Sequence, residues 1–300
     1  MKKLYMRMSF ILVLALSLLA AHSCVGFSKK EEKSRLSINA MSFNIRYDNP
    51  GDGDNVWNNR KDMVAETVRF HNIDIAGFQE VLHNQLEDLK ASLPEYGCFG
   101  VGRDDGLKKG EYTPVFYLKS RFDVLNQSTF WLSETPEVPG KLGWDAACPR
   151  IVTWGKFKEE STKTIFFVFN THFDHVSETA RSKSAEFILK KIDELAESHP
   201  VILTGDFNCR SDDHPYVILT NDRGGIRRLS DAFYISQRKP YGSTQTYNGF
   251  KDEIIPEYRI DFIFVRDIKQ ILRHGVISEK WDGRFVSDHY PVMAEVSLSK

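Results

Sequence analysis

Short runs of alternating apolar and polar residues are separated along this chain by longer amphipathic ones. Leu36–Ile45 alternates with a period of two and ends near Asn44 and Arg46, as a strand with one face on a core does. Tyr47–Asn59 is rich in Gly, Asp and Asn and reads as a loop. Arg60–His71 sets Met63, Val64, Thr67, Val68 and Phe70 at helical spacing. Ile73–Phe78 is a second short strand closing on Gln79 and Glu80, and the helix over Val81–Leu93 stops at Pro94. Tyr112–Tyr117, Phe122–Leu132 and Ile151–Lys158 read as strands around a loop, Ser133–Pro149, that holds Pro136, Pro139, Gly140 and Gly143. Thr164–Phe169 is a strand ending on Asn170-Thr171-His172, and Ser177–Ser198 is a helix. Val201–Thr204 is a buried strand ending on Gly205-Asp206-Phe207-Asn208. Asp212–Gly225 is loop and short helix, Arg259–Arg266 is a strong strand, Val276–Ser278 a short one, and Val292–Leu298 closes the chain.

This order repeats itself. A strand ending on Asn, a helix, and a strand ending on a carboxylate occur twice, and 36 residues separate both Asn44 from Glu80 and Asn170 from Asp206. Two such units pack sheet on sheet with helices outside, bringing the carboxylate-bearing strand ends to one rim. No Pro- or Ser-rich linker divides the chain, so residues 36–300 read as one domain.

The first residues follow a different pattern. Lys2, Lys3 and Arg7 precede an apolar run, Ser9–Ala21, too short to span a bilayer comfortably, followed by Ala21-His22-Ser23-Cys24. Residues 1–23 are therefore expected to be a signal peptide. Cys24 resembles the acylated first residue of a bacterial lipoprotein, although Ala21 stands where Leu is usual and His22 is atypical. A lipid-anchored or periplasmic envelope protein is expected, with plain secretion as the alternative, and residues 24–35 serve as a tether. The chain carries a net charge of −1, and loss of those three basic residues leaves the exported body mildly acidic. That argues against a broad nucleic-acid-binding surface while leaving room for local phosphate contacts. Hydrophobic content of 41% and charged content of 27% are ordinary for a globular protein. Cys98, Cys148 and Cys209 lack zinc-like spacing. They read as buried free thiols, with a bridge between Cys98 and Cys148 left open by spacing alone.

Polar residues gather at the strand ends: Asn44, Glu80, Glu111, His172, Asp206, Asn208, Asp261, Asp288 and His289. Asp206 and Asn208 are two apart and share a direction on an extended backbone, with Phe207 pointing the other way. Asp261 interrupts Ile260-Asp261-Phe262-Ile263-Phe264-Val265, where a buried carboxylate is costly unless partnered.

Ser-Phe-Asn44-Ile-Arg, Gly-Phe-Gln-Glu80, Asn-Thr-His172-Phe-Asp-His175, Gly-Asp206-Phe-Asn208, Arg-Ile-Asp261-Phe and Ser-Asp288-His289-Tyr-Pro together resemble the motifs of the endonuclease/exonuclease/phosphatase superfamily, in family order. The resemblance implies an α+β fold, a four-layer α/β/β/α sandwich of two mostly antiparallel sheets with a pseudo-twofold internal repeat. It also implies hydrolysis of a phosphoester by in-line attack of water with a divalent metal. In that scheme Glu80 is the main ligand of Mg²⁺ or Mn²⁺, with Asn44 near it and Asp288 on metal or water. Asp206 acts on the attacking water, Asn208 contacts the phosphoryl group, and His172 and His289 stabilise charge or move protons. Glu111 orients His172, and Asp261 orients His289.

His172 sets the chain apart from the abasic-site nucleases of that superfamily, and Phe262 after Asp261 departs from the inositol-phosphatase pattern. The stretch around Asp261 looks more like deadenylases and sphingomyelinases. Arg150 and Arg181 are candidate phosphate forks, and Trp57, Trp131 and Trp144 either stack on a base or sugar or cap the core. The expectation is a monomeric phosphodiesterase or phosphatase acting on a phosphorylated small molecule, glycan, lipid headgroup or oligonucleotide. An extracellular nuclease of the same fold is the alternative, and a non-catalytic binding protein ranks below both.

Overall fold

The computed structural model describes residues 37–221 and 227–298. The expected signal peptide, Cys24 and the expected tether lie outside the described residues. By its contacts, Ile38–Lys300 is one compact unit. No described helix is long and apolar enough to cross a membrane.

The first half runs β1 (Ser37–Asn44), α1 (Lys61–Phe70), β2 (Ile75–Gln79), α2 (His83–Ser92), β3 (Tyr96–Phe99), β4 (Val115–Leu118) and β5 (Phe122–Trp131). The second runs β6 (Ile151–Glu159), β7 (Ile165–His172), α3 (Glu178–Ala196), β8 (Val201–Asp206), α4 (His214–Thr220), β9 (Ser230–Asp231), β10 (Tyr241–Gly242), β11 (Asp261–Arg266), β12 (Gln270–Val276), β13 (Lys280–Trp281), β14 (Arg284–Phe285) and β15 (Val292–Ser297). Of the two large sheets, one has the order β10-β12-β15-β1-β2-β4-β3 and the other β5-β6-β7-β8-β11-β9, and β13 pairs with β14 apart from both.

Three apolar clusters separate four layers. Met41, Phe43 and Phe78 pack under Val64 and Val68 of α1 and Leu86 and Leu89 of α2. Phe169, Leu203 and Phe264 pack under Ile188 and Ile192 of α3. Ile38, Ile75 and Val115 of the first sheet meet Phe166, Val168, Ile202 and Ile263 of the second. Helices thus cover both outer faces, as the repeated strand–helix–strand pattern requires. In each sheet a central parallel pair, β1 with β2 and β7 with β8, is joined by an antiparallel neighbour, β4 and β11 respectively.

The repeat holds element by element but not residue by residue. Asn44 pairs with Gln79, whereas Asn170 pairs with Thr204, and it is His172 that lies opposite Asp206. The position matching Asn44 at a strand end is therefore His172. Asn170 sits two residues deeper and ties the sheets together. Its Nδ2 donates to the carbonyls of Phe78 (2.7 Å) and Pro114 (3.1 Å), and its Oδ1 accepts from Gln79 (2.7 Å) and Thr204 (3.0 Å). Gly77 is the close-approach position beside it. A Cβ there would meet Thr204 Oγ1 at 2.1 Å and Asn170 Oδ1 at 2.5 Å.

Besides the two-residue strands β9, β10, β13 and β14, two longer strands escape the hydrophobic pattern. In β12 a bulge between Ile271 and Arg273 breaks the alternation, so only its end at Val276 is visible in the sequence. The edge strand β3 has one buried residue in four. Cys98 and Cys148 are free and half-buried, so of the three thiols only Cys209 lies in the core.

Candidate active site

Strand parity aims the polar groups. In β7, Phe166 and Val168 face the opposite sheet, so Asn170 and His172 do too. The same count along β8 and β11 sends Ile202 and Asp206, and Ile263 and Asp261, into the same gap, while Phe207 turns outward into the helix-side core. At the strand ends this gap opens into a cleft of about 530 Å³, lined by Glu80, Glu111, His172, Asp206, Asn208, Asp288 and His289 among others. The sequence-predicted groups thus gather in one place. Asn44 and Asp261 lie directly beneath, fully buried.

Asp206 is the hub. Its Oδ2 accepts from Asn44 Nδ2 (2.9 Å) and lies 3.4 Å from His172 Nε2 and 3.7 Å from His289 Nε2. Its Oδ1 accepts from the Asn208 amide at 3.0 Å. Burial and then the Asp261 charge push its pKa up to about 7, against the pull of His289 and Asn44.

The two histidines are held in opposite states. Burial works against charge on His289, but Asp261, with Oδ2 2.9 Å from Nδ1, and Asp206 outweigh it and raise its pKa well above the ordinary value. His172 is lowered well below its ordinary value by burial, then by Arg150 and Arg103. Its Nε2 accepts from Asn208 Nδ2 at 3.0 Å, which puts its proton on Nδ1. The expected orienting hydrogen bond from His172 to Glu111 is not made. The two are 3.9 Å apart, because Arg103 Nη1 claims the same carboxylate oxygen at 2.8 Å.

Glu80 accepts from Asn44 Nδ2 (3.1 Å) and from the Tyr47 amide (3.1 Å). It sits at φ 60, a left-handed conformation costly for a side chain of this kind, and Arg46 and Asn208 turn the same way at φ 58 and 47. Three of the strand ends that build the cleft thus carry local backbone strain. Burial, and Glu80 in particular among the carboxylates, raise the Asp288 pKa to about 6. Two facing carboxylates beside an amide, with no sulfur donor, form an oxygen set that suits Mg²⁺ or Mn²⁺, and a cation there would relieve their repulsion. Asp206, Asp261 and His289 also offer ligand atoms within 4.8 Å of one another, but His289 Nδ1 is already committed to Asp261.

Arg150 is buried and lines the cleft. Arg181 does not line it; its Nη1 donates to the Asp174 carbonyl at 2.9 Å and braces the loop after β7. Trp57 and Trp131 are buried, with indole donors on Asp88 and on the Arg103 carbonyl, and Trp144 packs on Phe187, so all three serve the core. Sequence reasoning missed Arg103, and it missed Tyr47, Tyr247 and Tyr258, which form an aromatic wall of the cleft. It also read Arg60 only as the start of a helix. This arginine is fully buried and donates through Nη1 to the carbonyls of Ile45 (2.8 Å) and Val286 (3.0 Å), so it holds the segments carrying Arg46 and Asp288. Burial lowers its pKa to about 10. A charged residue opening a helix carries no mark of burial in sequence.

The sequence profile of the Endonuclease/Exonuclease/phosphatase family matches residues 41–289. The chain belongs to this family. Its members hydrolyse phosphoesters and are typically dependent on a divalent metal. Among solved structures, the endonuclease/exonuclease/phosphatase from Bacteroides vulgatus is 44% identical, with a TM-score of 0.83 over 88% of this chain and 99% of that one. A mannosyl-6-phosphatase of Bacteroides thetaiotaomicron is 37% identical, with a TM-score of 0.79 over 86% of this chain and 99% of that one. A probable RNA exonuclease of Schizosaccharomyces pombe is 24% identical over 71% of this chain, which spans 45% of that protein.

Proposed function

We propose that this family member is an exported, divalent-metal-dependent phosphoesterase whose substrate is the phosphate ester of a sugar or glycan. The observation that carries the reaction type is Asp206 Oδ2, 3.4 Å from His172 Nε2, whose ring burial keeps neutral, and 3.7 Å from His289 Nε2, whose ring Asp261 keeps charged. The likeness to a mannosyl-6-phosphatase over almost its full length supports the substrate class. The acidic chain and the tyrosine wall are in keeping with it.

Water placed at Asp206 gives up a proton to that carboxylate as its oxygen attacks phosphorus. The ester P–O bond breaks on the opposite side, where the leaving oxygen takes a proton from solvent, while His289, which Asp261 keeps charged, stabilises the phosphoryl oxygens. His172 Nε2 accepts from Asn208 Nδ2 and so fixes Asn208 beside the phosphoryl group. Glu80, Asn44 and Asp288 would hold the cation, which supplies Lewis-acid polarisation of the phosphoryl group.

The test is a panel of sugar phosphates, nucleotides, phospholipid headgroups and plasmid DNA with Mg²⁺ or Mn²⁺. Release of phosphate from sugar phosphates, abolished by EDTA, is expected. Cleavage of DNA or RNA alone would move the assignment to the nuclease reading. Export and anchoring at Cys24 are part of the proposal. Replacing Cys24 by Ala should release the protein from the membrane fraction, and unchanged fractionation would refute anchoring there.

A further inference from the structure

One wall of the cleft is cationic, and nothing in the chemistry above uses it. Arg150 is 4% exposed and lines the cleft with His172, Asp206 and Asn208. Its Nη2 donates to His175 Nδ1 at 2.9 Å, and its Nε lies 3.6 Å from Asp174 Oδ2. Yet its Nε and Nη1, like Nε of neighbouring Arg103, are buried without a hydrogen-bond partner among the described residues. Buried donors left unmade are costly, and they persist where a ligand completes them.

The surroundings hold Arg150 in place. Trp144 and Asp145, in the loop before it, both adopt left-handed φ, 48 and 64. That loop is pinned by the Ala147 amide on Asp174 Oδ2 (2.9 Å), and the Arg150 carbonyl accepts from the Leu132 amide (2.7 Å). Asp174 Oδ1 is engaged by the Val176 and Ser177 amides, and its Oδ2, on the Ala147 amide, stays beyond hydrogen-bond reach of Arg150 Nε. The opposite wall is aromatic, from Tyr47, Tyr247 and Tyr258, and suits the carbon skeleton of a leaving group.

We propose that Arg150 makes this enzyme a phosphomonoesterase, by giving an unpartnered N–H to the additional terminal oxygen of a dianionic phosphate. A diester phosphate has two terminal oxygens and one charge. A monoester has three, and carries close to two charges at neutral pH. His289 is one cationic donor at the cleft and Arg150 is a second, and a second cation favours the doubly charged monoester over the singly charged diester. The planar guanidinium can donate here while Nη2 stays on His175, which a lysine could not reproduce.

This inference rests on the phosphoesterase reading, and the experiment separates the two. Wild-type enzyme with Mg²⁺ is assayed on p-nitrophenyl phosphate and bis-p-nitrophenyl phosphate, and inhibition by orthophosphate is compared with inhibition by dimethyl phosphate. Expected are a kcat/KM at least about tenfold higher for the monoester and a correspondingly tighter orthophosphate. Arg150→Gln should cost the monoester at least about tenfold more than the diester, with Arg150→Lys in between. The exposed His175→Ala, which frees the arginine, should shift the ratio the same way by less. The inhibitor comparison uses the wild type, so it decides the matter even if the arginine variants do not fold. No hydrolysis of either ester would sink the phosphoesterase reading. Hydrolysis with equal losses on both esters, or equal inhibition by the two phosphates, would sink the role of Arg150 alone.

Discussion

Nδ1 of His289 lies 2.9 Å from Oδ2 of Asp261, and both side chains are buried. Asp261 is the polar interruption of an apolar strand, and its other oxygen has no partner among the described residues. The carboxylate therefore serves His289: it fixes the tautomer and keeps the ring charged, so that Nε2–H faces the cleft. Asp261→Asn keeps the shape and removes the charge. The variant should lose about 10²-fold or more in kcat, read by steady-state hydrolysis, while remaining folded. A kcat within threefold of wild type would leave the charge on His289 without a role in the reaction.

Glu80 combines a left-handed backbone with a facing Asp288, so it is held against both sterics and like charge. Such strain is expected where function needs it. Glu80→Gln removes the repulsion and keeps the size. Activity should fall by about 10³-fold, while the cation-free protein is at least as stable as wild type. The sharper readout is thermal unfolding with and without Mg²⁺. The wild type should gain Tm on adding the cation and the variant should not, because only binding to the native state stabilises it. An equal gain in both would place the cation elsewhere.

Much of the site could be read in the sequence because β-strands have a strict period. Once Phe166 and Val168 are in the core, His172 must share their face, and the same count places Asp206 and Asp261. Asn170 shows the limit of such reading. Its spacing to Asp206 copied that of Asn44 to Glu80, but sequence distance carries no register, and the residue is structural. All four of its hydrogen-bonding positions are used, three of them across to the other sheet and one on Thr204 of its own. Arg60 and Arg103 were missed for a related reason: their roles depend on backbone carbonyls and a carboxylate brought near only by folding. Asn170→Ala should therefore cost about 3 kcal/mol or more in denaturant unfolding, since it strands several buried partners at once. A loss below about 1 kcal/mol would mean that the sheets close without this amide.

His274 of β12 is buried, and both its ring nitrogens lack partners among the described residues. Its ring packs edge-on against Phe233. Burial lowers its pKa to about 4, with Asp231 pulling it up and Arg259 pushing it further down. The folded pKa lies below the unfolded one, so the unfolded chain takes up the proton first. Stability is complete above pH 6.5 and is lost as pH falls towards 4, by about 3 kcal/mol from this residue. His274→Phe should flatten that acid limb in unfolding measurements between pH 4 and 7. A limb unchanged in the variant would assign it to the carboxylates of the cleft.

The acid limb of activity should come from the cleft itself. Asp206 must be ionised to accept a proton from water, and burial with Asp261 nearby holds its pKa at about 7. Asp288, at about 6, must be ionised to face a cation. Activity is therefore absent while these carboxylates are protonated and rises as pH climbs through 6 to 7. A bound cation favours the ionised forms, so raising Mg²⁺ should move the limb to lower pH. Profiles of kcat/KM taken at low and saturating Mg²⁺ check the direction. A limb that stays fixed as the cation is varied would mean that the titrating group lies beyond its field, and Asp206 would not be the base.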